Sequence, residues 1–325
     1  MPRIAPAADA AIMEAAARLR RGELVAFPTE TVYGLGGSTL DAAAVDRLYA
    51  MKGRPADNPI IAHVHDVEAA RRIVAFWDPR ADCLVDRFWP GPLTLVLPKA
   101  AAVPDQATGG RTTVAVRCPS HPVARVLLRI FGGPISAPSA NRSGRVSPTS
   151  AEHVAAEFAE SESLLILDGG TCSVGIESTV LELSGGARPR LLRPGAVTAE
   201  MIEQLIGPID RAVPEGQDAS PGTRSSHYAP RTPTLLVARR EMAEMLRVAV
   251  PRSAAIAFEE LEVPVPHIAI RMPADAEQYA ARLYAALRDA DSANAERILV
   301  ERPESRDALW EAVLDRLRRA CAARR

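Results

Sequence analysis

Extended apolar runs alternate with helical ones along almost the whole chain, and this alternation most constrains how it can fold. ELVAF (residues 23–27) reads as a strand closed by Pro28, and LDAAAVDRLYAM (residues 40–51) reads as a helix. PIIAHVH is followed by VEAARRIVAFW, TTVAVRCP by HPVARVLLRIF, and PISAPS by SPTSAEHVAAEFA. TLVLP, LLILDGG, STVLELS and RPRLLRP supply further extended runs. A period that switches between strand and helix spacing requires strands covered by helices, hence an α/β fold with a mixed sheet. At the start, DAAIMEAAARLRR (residues 9–21) places Ile12, Ala16 and Leu19 on one helical face, with Gly22 as the stop. Ser150 and Thr198 stand where helix N-caps are needed.

Between Gly207 and Pro233 the pattern breaks into prolines, glycines, serines and charges, the composition of a linker. A second alternation follows: TLLVA, REMAEMLRVAV, AAIAF, HIAIRMP, DAEQYAARLYAALRDA, ERILVERP and RDALWEAVLDRLRRACAARR. The expected organisation is a domain over residues 1–206, a linker over 207–232 and a smaller Rossmann-like α/β domain over 233–325. That second domain has no GxGxxG turn, so its pattern implies no dinucleotide. A length of 325 residues suits two cores better than one.

With 47% hydrophobic and 24% charged residues and a net charge of -1, the chain is not a polybasic nucleic-acid binder, and any RNA contact must be local. No apolar run approaches the roughly 20 residues of a bilayer span, and the N-terminus lacks the basic-then-apolar order of a signal peptide. A cytoplasmic protein with no membrane partner is expected. Cys83, Cys118, Cys172 and Cys321 form no CxxC pair, so reduced, buried thiols are expected, with neither structural zinc nor disulfides.

PTETVYGLGG (residues 28–37) and MKGRPADNP (residues 51–59) concentrate hydroxyls, glycines, a lysine, an arginine and an asparagine. Gly34, Gly36 and Gly37 read equally well as a tight turn between strand and helix. Lysine usage favours function: among 39 basic residues, lysine stands only at Lys52 and Lys99. A chain so biased toward arginine is expected to keep lysine where a compact ammonium is needed. The chain has no GxxxxGK[ST] loop, no GxSxG elbow and no HExxH or other metal-ligand spacing.

A nucleotide would therefore need a ring of cations and hydroxyls: Lys52 and Arg54, Thr113 and Arg117, Ser139 and Asn141, Ser147, and Arg193. Such a set suits nucleotidyl or phosphoryl transfer, where positioning and charge stabilisation dominate. Each member also has a plainer reading. Arg117 reads as a solvated strand end, Arg193 as a surface pair, and His63 as a core histidine. SAPSANRSGRVSPTS reads as a loop feeding a helix cap, and Glu177, Ser178 and Thr179 as a hairpin after a glycine bend.

Taken together and in order, PTETVYGLGG, KGRPADNP, TVAVRCP, SAPSANRSGRVSPT, DGGTCSVGIESTV and LLRPG resemble the threonylcarbamoyl-AMP synthase family, the YrdC-like domain, over about residues 10–206. SPGTRSSHYAP with an α/β domain behind it resembles the long two-domain form. The resemblance implies a YrdC-like twisted mixed sheet with flanking helices and a smaller Rossmann-like C-terminal domain. It implies a nucleotidyltransferase that joins L-threonine, bicarbonate and ATP into threonylcarbamoyl-AMP and pyrophosphate, for threonylcarbamoylation of the tRNA adenosine beside the anticodon. Carried over by motif, Thr31, His63, Arg117, Ala137 and Ser178 would surround L-threonine, with Arg117 forking onto its carboxylate. Lys52, Arg54, Asn58, Thr113, Ser139, Asn141, Ser147, Arg193 and Ser225 would hold ATP.

Ser225 stands where many long-form members carry a tyrosine that approaches the nucleotide, while His227 and Tyr228 keep the linker pattern near the site. Mg²⁺ would ride on the triphosphate without dedicated protein ligands. The implied partners extend to tRNA or the downstream threonylcarbamoyl-transfer complex. The alternatives are a non-catalytic double-stranded-RNA or ribosome-binding module, and a carbamoyltransferase of the hydrogenase-maturation type, whose acylphosphatase and zinc-finger-like segments this chain lacks.

Overall fold

The computed structural model describes residues 1–184, 186, 188–211, 228–248, 250–304 and 307–322. Its first sheet contains, in chain order, β1 (Arg3–Pro6), β2 (Val25–Phe27), β3 (Gly34–Ser38), β4 (Ile61–His63), β5 (Leu93–Pro98), β6 (Thr113–Arg117), β7 (Ile135–Ser136), β8 (Leu165–Asp168), β9 (Thr179–Glu182) and β10 (Arg190–Arg193). They lie side by side as β1-β8-β2-β3-β7-β4-β6-β5-β9-β10, with parallel and antiparallel neighbours mixed. The covering helices are α1 (Asp9–Arg20), α2 (Ala42–Lys52), α3 (Val67–Arg71), α4 (Pro79–Phe88), α5 (Asp105–Thr108), α6 (Pro122–Phe131), α7 (Ala151–Glu157) and α8 (Ala199–Ile206).

Both faces of this sheet are covered, as apolar runs without polar alternation require. On one side α1 and α6 bury Ala16, Leu19, Leu127 and Leu128 against Phe27 and Leu165. The other side carries Val45, Leu48, Leu84, Val154 and Ile202 from α2, α4, α7 and α8, packed on Leu35, Leu95 and Val116. The second sheet is parallel throughout, β11 (Thr234–Val237), β14 (Arg297–Glu301), β12 (Ser253–Phe258) and β13 (Ile268–Met272) in spatial order, accompanied by α9 (Arg239–Met245), α10 (Ala276–Ser292) and α11 (Ala308–Ala320). This is the mixed sheet with flanking helices plus smaller parallel α/β unit that the sequence leads one to expect.

The two units share an interior. Val32, Val146 and Ile176 from the first, and Tyr228 from the segment between the sheets, pack in one cluster with Ile256, Leu283, Tyr284 and Val313 of the second. Gly175, at φ +75°, makes the approach possible: a Cβ there would lie 2.4 Å from both the Ala280 carbonyl oxygen and the Ala281 Cα of α10.

Some local expectations are corrected. Gly34, Gly36 and Gly37 form no turn; they belong to β3 in the middle of the sheet, where a Cβ on Gly36 would lie 2.7 Å from the Phe27 ring and 2.9 Å from Ile135. VEAARRIVAFW yields only the short α3, whereas PRADCLVDRF forms α4, started by Asp78 as N-cap and Pro79 in the first turn. Of the cysteines, Cys118 and Cys172 are buried as expected, but Cys83 is exposed and Cys321 half-buried. Among the described residues no helix is long and apolar enough to cross a membrane.

Candidate active site

β4 and β6 run parallel, in a register that sets His63 opposite Arg117, each the last residue of its strand. Side chains at the carboxyl ends of parallel strands face the crevice where α/β sheets take ligands. A cavity lies here. Thr29, Thr31, Val32 and Gly34 from the PTETVYG segment line it together with Ile61, His63, Arg117 and Ala137. Arg54, Pro138, Ser139, Glu177, Ser178, Arg193 and Tyr228 complete the wall.

Arg117 is buried, not a solvated strand end. Its guanidinium makes a 2.7 Å ion pair with Glu30, donates to the Thr31 hydroxyl at 2.9 Å, and sends Nε to the Gly91 carbonyl at 3.2 Å. Thr31 is held in turn by the Thr29 hydroxyl at 2.9 Å, which also bonds the Val32 carbonyl, so the PTET turn is braced from inside. The second Glu30 oxygen accepts from the Ser120 amide at 3.1 Å. Burial, reinforced by the Arg117 charge, holds the His63 pKa down at about 3, so the ring is neutral around pH 7.

Across the cavity, Ser178 accepts from Arg193 at 3.2 Å and shares a 2.7 Å hydrogen bond with Thr94, while Arg193 Nε donates to the Ser178 carbonyl at 3.0 Å. Arg193 is aimed inward by a register shift between Leu191 and Arg193 in β10. It is a buried wall residue, contrary to the surface reading. Arg54 is oriented by Asn58, which accepts at Oδ1 (2.6 Å) and at its carbonyl (3.1 Å), and by the Pro59 carbonyl at 2.9 Å.

The cavity thus brings together Thr31, Arg54, His63, Arg117, Ala137, Ser139, Ser178, Arg193 and Tyr228. Asn58 stands behind it, positioning Arg54. Lys52 also stands behind it: its buried Nζ donates to the carbonyls of Ser139 and Asn141, clamping the SANRSG loop from below. Burial, with the Arg54 charge, pushes that ammonium well below the usual lysine range. Asn141 ties the same loop through the Arg142 and Arg145 carbonyls at 2.8 and 2.9 Å. Ser147 donates to Glu177 at 2.6 Å, and Thr113 opens β6 at its half-buried far end. Ser225 and His227, expected beside the nucleotide, lie outside the described residues. Tyr228 lines the cavity at φ +61°, stacked on Tyr284 with ring centres 5.4 Å apart.

Two carboxylates that no sequence pattern marks support the cavity, Glu177 in its wall and Glu30 behind Arg117. Glu30 is in the opening motif but carries no sign of a partner 87 positions away, and Glu177 follows a glycine bend that reads as a hairpin.

A mixed-sheet domain with this inward-facing Arg, His and Ser set, fused to a parallel α/β unit, defines a protein of the Sua5, YciO and YrdC type. A family model described as Sua5, YciO and YrdC, "Telomere recombination", matches residues 17–195, and one described as "Threonylcarbamoyl-AMP synthase, C-terminal domain" matches residues 197–322. The chain belongs to the threonylcarbamoyl-AMP synthase family. It is 42% identical to the threonylcarbamoyl-AMP synthase of Pyrococcus abyssi over 95% of this chain and 94% of that protein. To the enzyme of the same name from Schizosaccharomyces pombe it is 34% identical, over 98% and 90%. Its fold matches the crystal structure of P. abyssi Sua5 complexed with L-threonine at a TM-score of 0.88 and 40% identity, covering 95% and 94% of the two chains.

Proposed function

We propose that the protein is an ATP-dependent nucleotidyltransferase that makes threonylcarbamoyl-AMP and pyrophosphate from L-threonine, bicarbonate and ATP. The product would serve threonylcarbamoylation of the tRNA adenosine beside the anticodon, in the cytoplasm, through tRNA or a downstream transfer complex. The observation that carries the reading is the convergence, in one buried cavity, of an Arg117, Thr31, His63 and Ser178 group with an Arg54, Ser139 and Arg193 group. The first suits an amino acid, the second a polyphosphate.

In this reading Arg117 and the Thr31 hydroxyl receive the threonine carboxylate. His63, held neutral, adds no charge beside the amine and can accept a hydrogen bond from it. The amine captures the carbon of bicarbonate to give a carbamate with loss of water. The carbamate oxygen then attacks the α-phosphorus of ATP, and the bond to the β-phosphate breaks to release pyrophosphate. Arg54 and Arg193 offset the charge that develops on the phosphates, and Ser139 offers a hydroxyl on a loop fixed by Lys52. Glu177 of the cavity wall and Glu30 behind Arg117 are each paired with arginine, and among the described residues no group of three or more His, Cys, Asp and Glu could hold a metal ion. Magnesium therefore fits as part of the nucleotide substrate, on phosphate oxygens and water.

The test is pyrophosphate release from the purified protein with MgATP. Release that needs both L-threonine and bicarbonate, with the carbamoyl-adenylate found by mass spectrometry, is expected. Release independent of threonine, or none with all three present, would overturn the reading.

A further inference from the structure

The second domain hydrogen-bonds a buried carboxylate of the cavity wall. Glu177 accepts from Ser147 Oγ at 2.6 Å on one oxygen, and on the other from Tyr284 OH at 2.7 Å and Arg316 Nε at 3.1 Å. Tyr284 lies on α10 and Arg316 on α11. Arg316 has no solvent exposure, and its Nη2 also donates to the Pro194 carbonyl at 2.9 Å, next to Arg193. Asp315, 2.7 Å from Nη1, neutralises the rest of the guanidinium. One side chain from the far domain is thus hydrogen-bonded to the two segments that carry Ser178 and Arg193. A fully buried guanidinium is costly to desolvate, and a purely packing role at this seam would be served by an apolar side chain of similar size.

We propose that Arg316 is a positioning residue for the nucleotide half of the cavity. Through Glu177 it orients the Ser147 hydroxyl, and through Pro194 it sets the angle at which Arg193 enters. This assignment rests on the synthase reading above. It makes the second domain part of the active site's construction. The groups facing Glu177 are Arg316, Tyr284, Tyr228, Arg193 and Ser147. Burial pushes the Glu177 pKa up, but Arg316 first and Arg193 next, together with the Ser147 and Tyr284 hydrogen bonds, outweigh it and hold the carboxyl below its usual range. Without Arg316 the burial remains and the larger of the two opposing charges is gone. The carboxyl then protonates at higher pH and can donate where it must accept.

The experiment uses the full-length protein, the Arg316→Met and Arg316→Lys variants, and the Arg316→Met/Glu177→Gln double variant, with thermal melting to confirm folding. Arg316→Met should raise the KM for ATP and the Kd for a non-hydrolysable ATP analogue by about tenfold, a loss worth one charge-assisted hydrogen bond. The threonine KM should move by less than about threefold. Its kcat/KM for ATP should gain an ionisation absent from the native profile, rising with pH, and the double variant should lose that ionisation because Gln cannot titrate. Arg316→Lys should recover part of the ATP affinity. A Tyr284→Phe variant removes one hydrogen bond to Glu177 with little change in packing, and should weaken analogue binding in the same direction if Arg316→Met does not fold. Unchanged analogue affinity in both Arg316→Met and Tyr284→Phe, or equal losses for ATP and threonine with an unaltered pH profile, would overturn the assignment. If the native protein binds the analogue yet releases no pyrophosphate, the synthase reading fails while the analogue affinities still decide the role of Arg316.

Discussion

The Glu30 carboxylate and the Arg117 guanidinium meet at 2.7 Å, Arg117 lining the cavity, with side-chain exposures of 6% and 4%. Desolvation of both ions offsets their attraction, so the pair adds little net stability, yet removing one partner strands a buried charge. What the pair does is hold Arg117 against Thr31 at the end of β6. Arg117→Ala should therefore lower stability by about 3–5 kcal/mol and also raise the threonine KM far more than the ATP KM. Adding Glu30→Gln should return part of the stability and none of the threonine affinity. Denaturant titration beside steady-state kinetics separates the two; full kinetic recovery in the double variant would contradict the role given to Arg117.

Lys52 is a loop clamp by geometry. Lys52→Met strands the Ser139 and Asn141 carbonyls and should cost about 1–3 kcal/mol. Lys52→Arg keeps the charge but must fit a planar fork where a compact ammonium is enclosed, and should impair turnover with a raised ATP KM. A native rate for Lys52→Arg would show that the chain's selective retention of lysine here has no catalytic meaning.

His63 predicts a pH dependence of stability. Its pKa falls from 6.5 to about 3 on folding, so between these values the unfolded chain binds a proton that the folded one excludes. Stability from this site is complete above about pH 6.5 and is lost as pH falls toward 3, at roughly 1.4 kcal/mol per pH unit. His63→Asn should flatten that slope in urea titrations across the window. An unchanged slope would mean that other groups dominate acid unfolding.

Gly175→Ala tests the seam between the sheets. A methyl placed 2.4 Å from α10 backbone, on a residue at φ +75°, forces the domains apart or the turn to rearrange. Overpacking and left-handed strain together should cost about 2–5 kcal/mol, read as a lowered melting midpoint and faster proteolysis. A midpoint within a degree of native would show that the seam is loose in solution.

The α/β alternation and the caps at Ser150 and Thr198 were legible because each is written in a local pattern, whereas Thr31, His63 and Ser178 were named only through the resemblance of the motifs taken in order, their local pattern reading as core or hairpin. β3 was not: five residues containing three glycines look like a turn, and only the positions of Phe27 and Ile135 show that absent side chains let the strand fit. α4 was legible in principle from Asp78 and Pro79. Glu30 with Arg117 and Glu177 with Arg316 join positions 87 and 139 residues apart, and no local pattern encodes such pairings. Arg316 itself looks like one more arginine on an amphipathic last helix.

The shared cluster of Val32, Val146 and Ile176 with Leu283, Tyr284 and Val313 has a consequence for how the molecule could come apart. Each half supplies part of the other's interior, so neither is a portable module. A chain nicked between residues 211 and 228 should remain a tight two-piece complex and melt in a single cooperative transition. Transplanted alone, either half would carry an open apolar face seeking its counterpart.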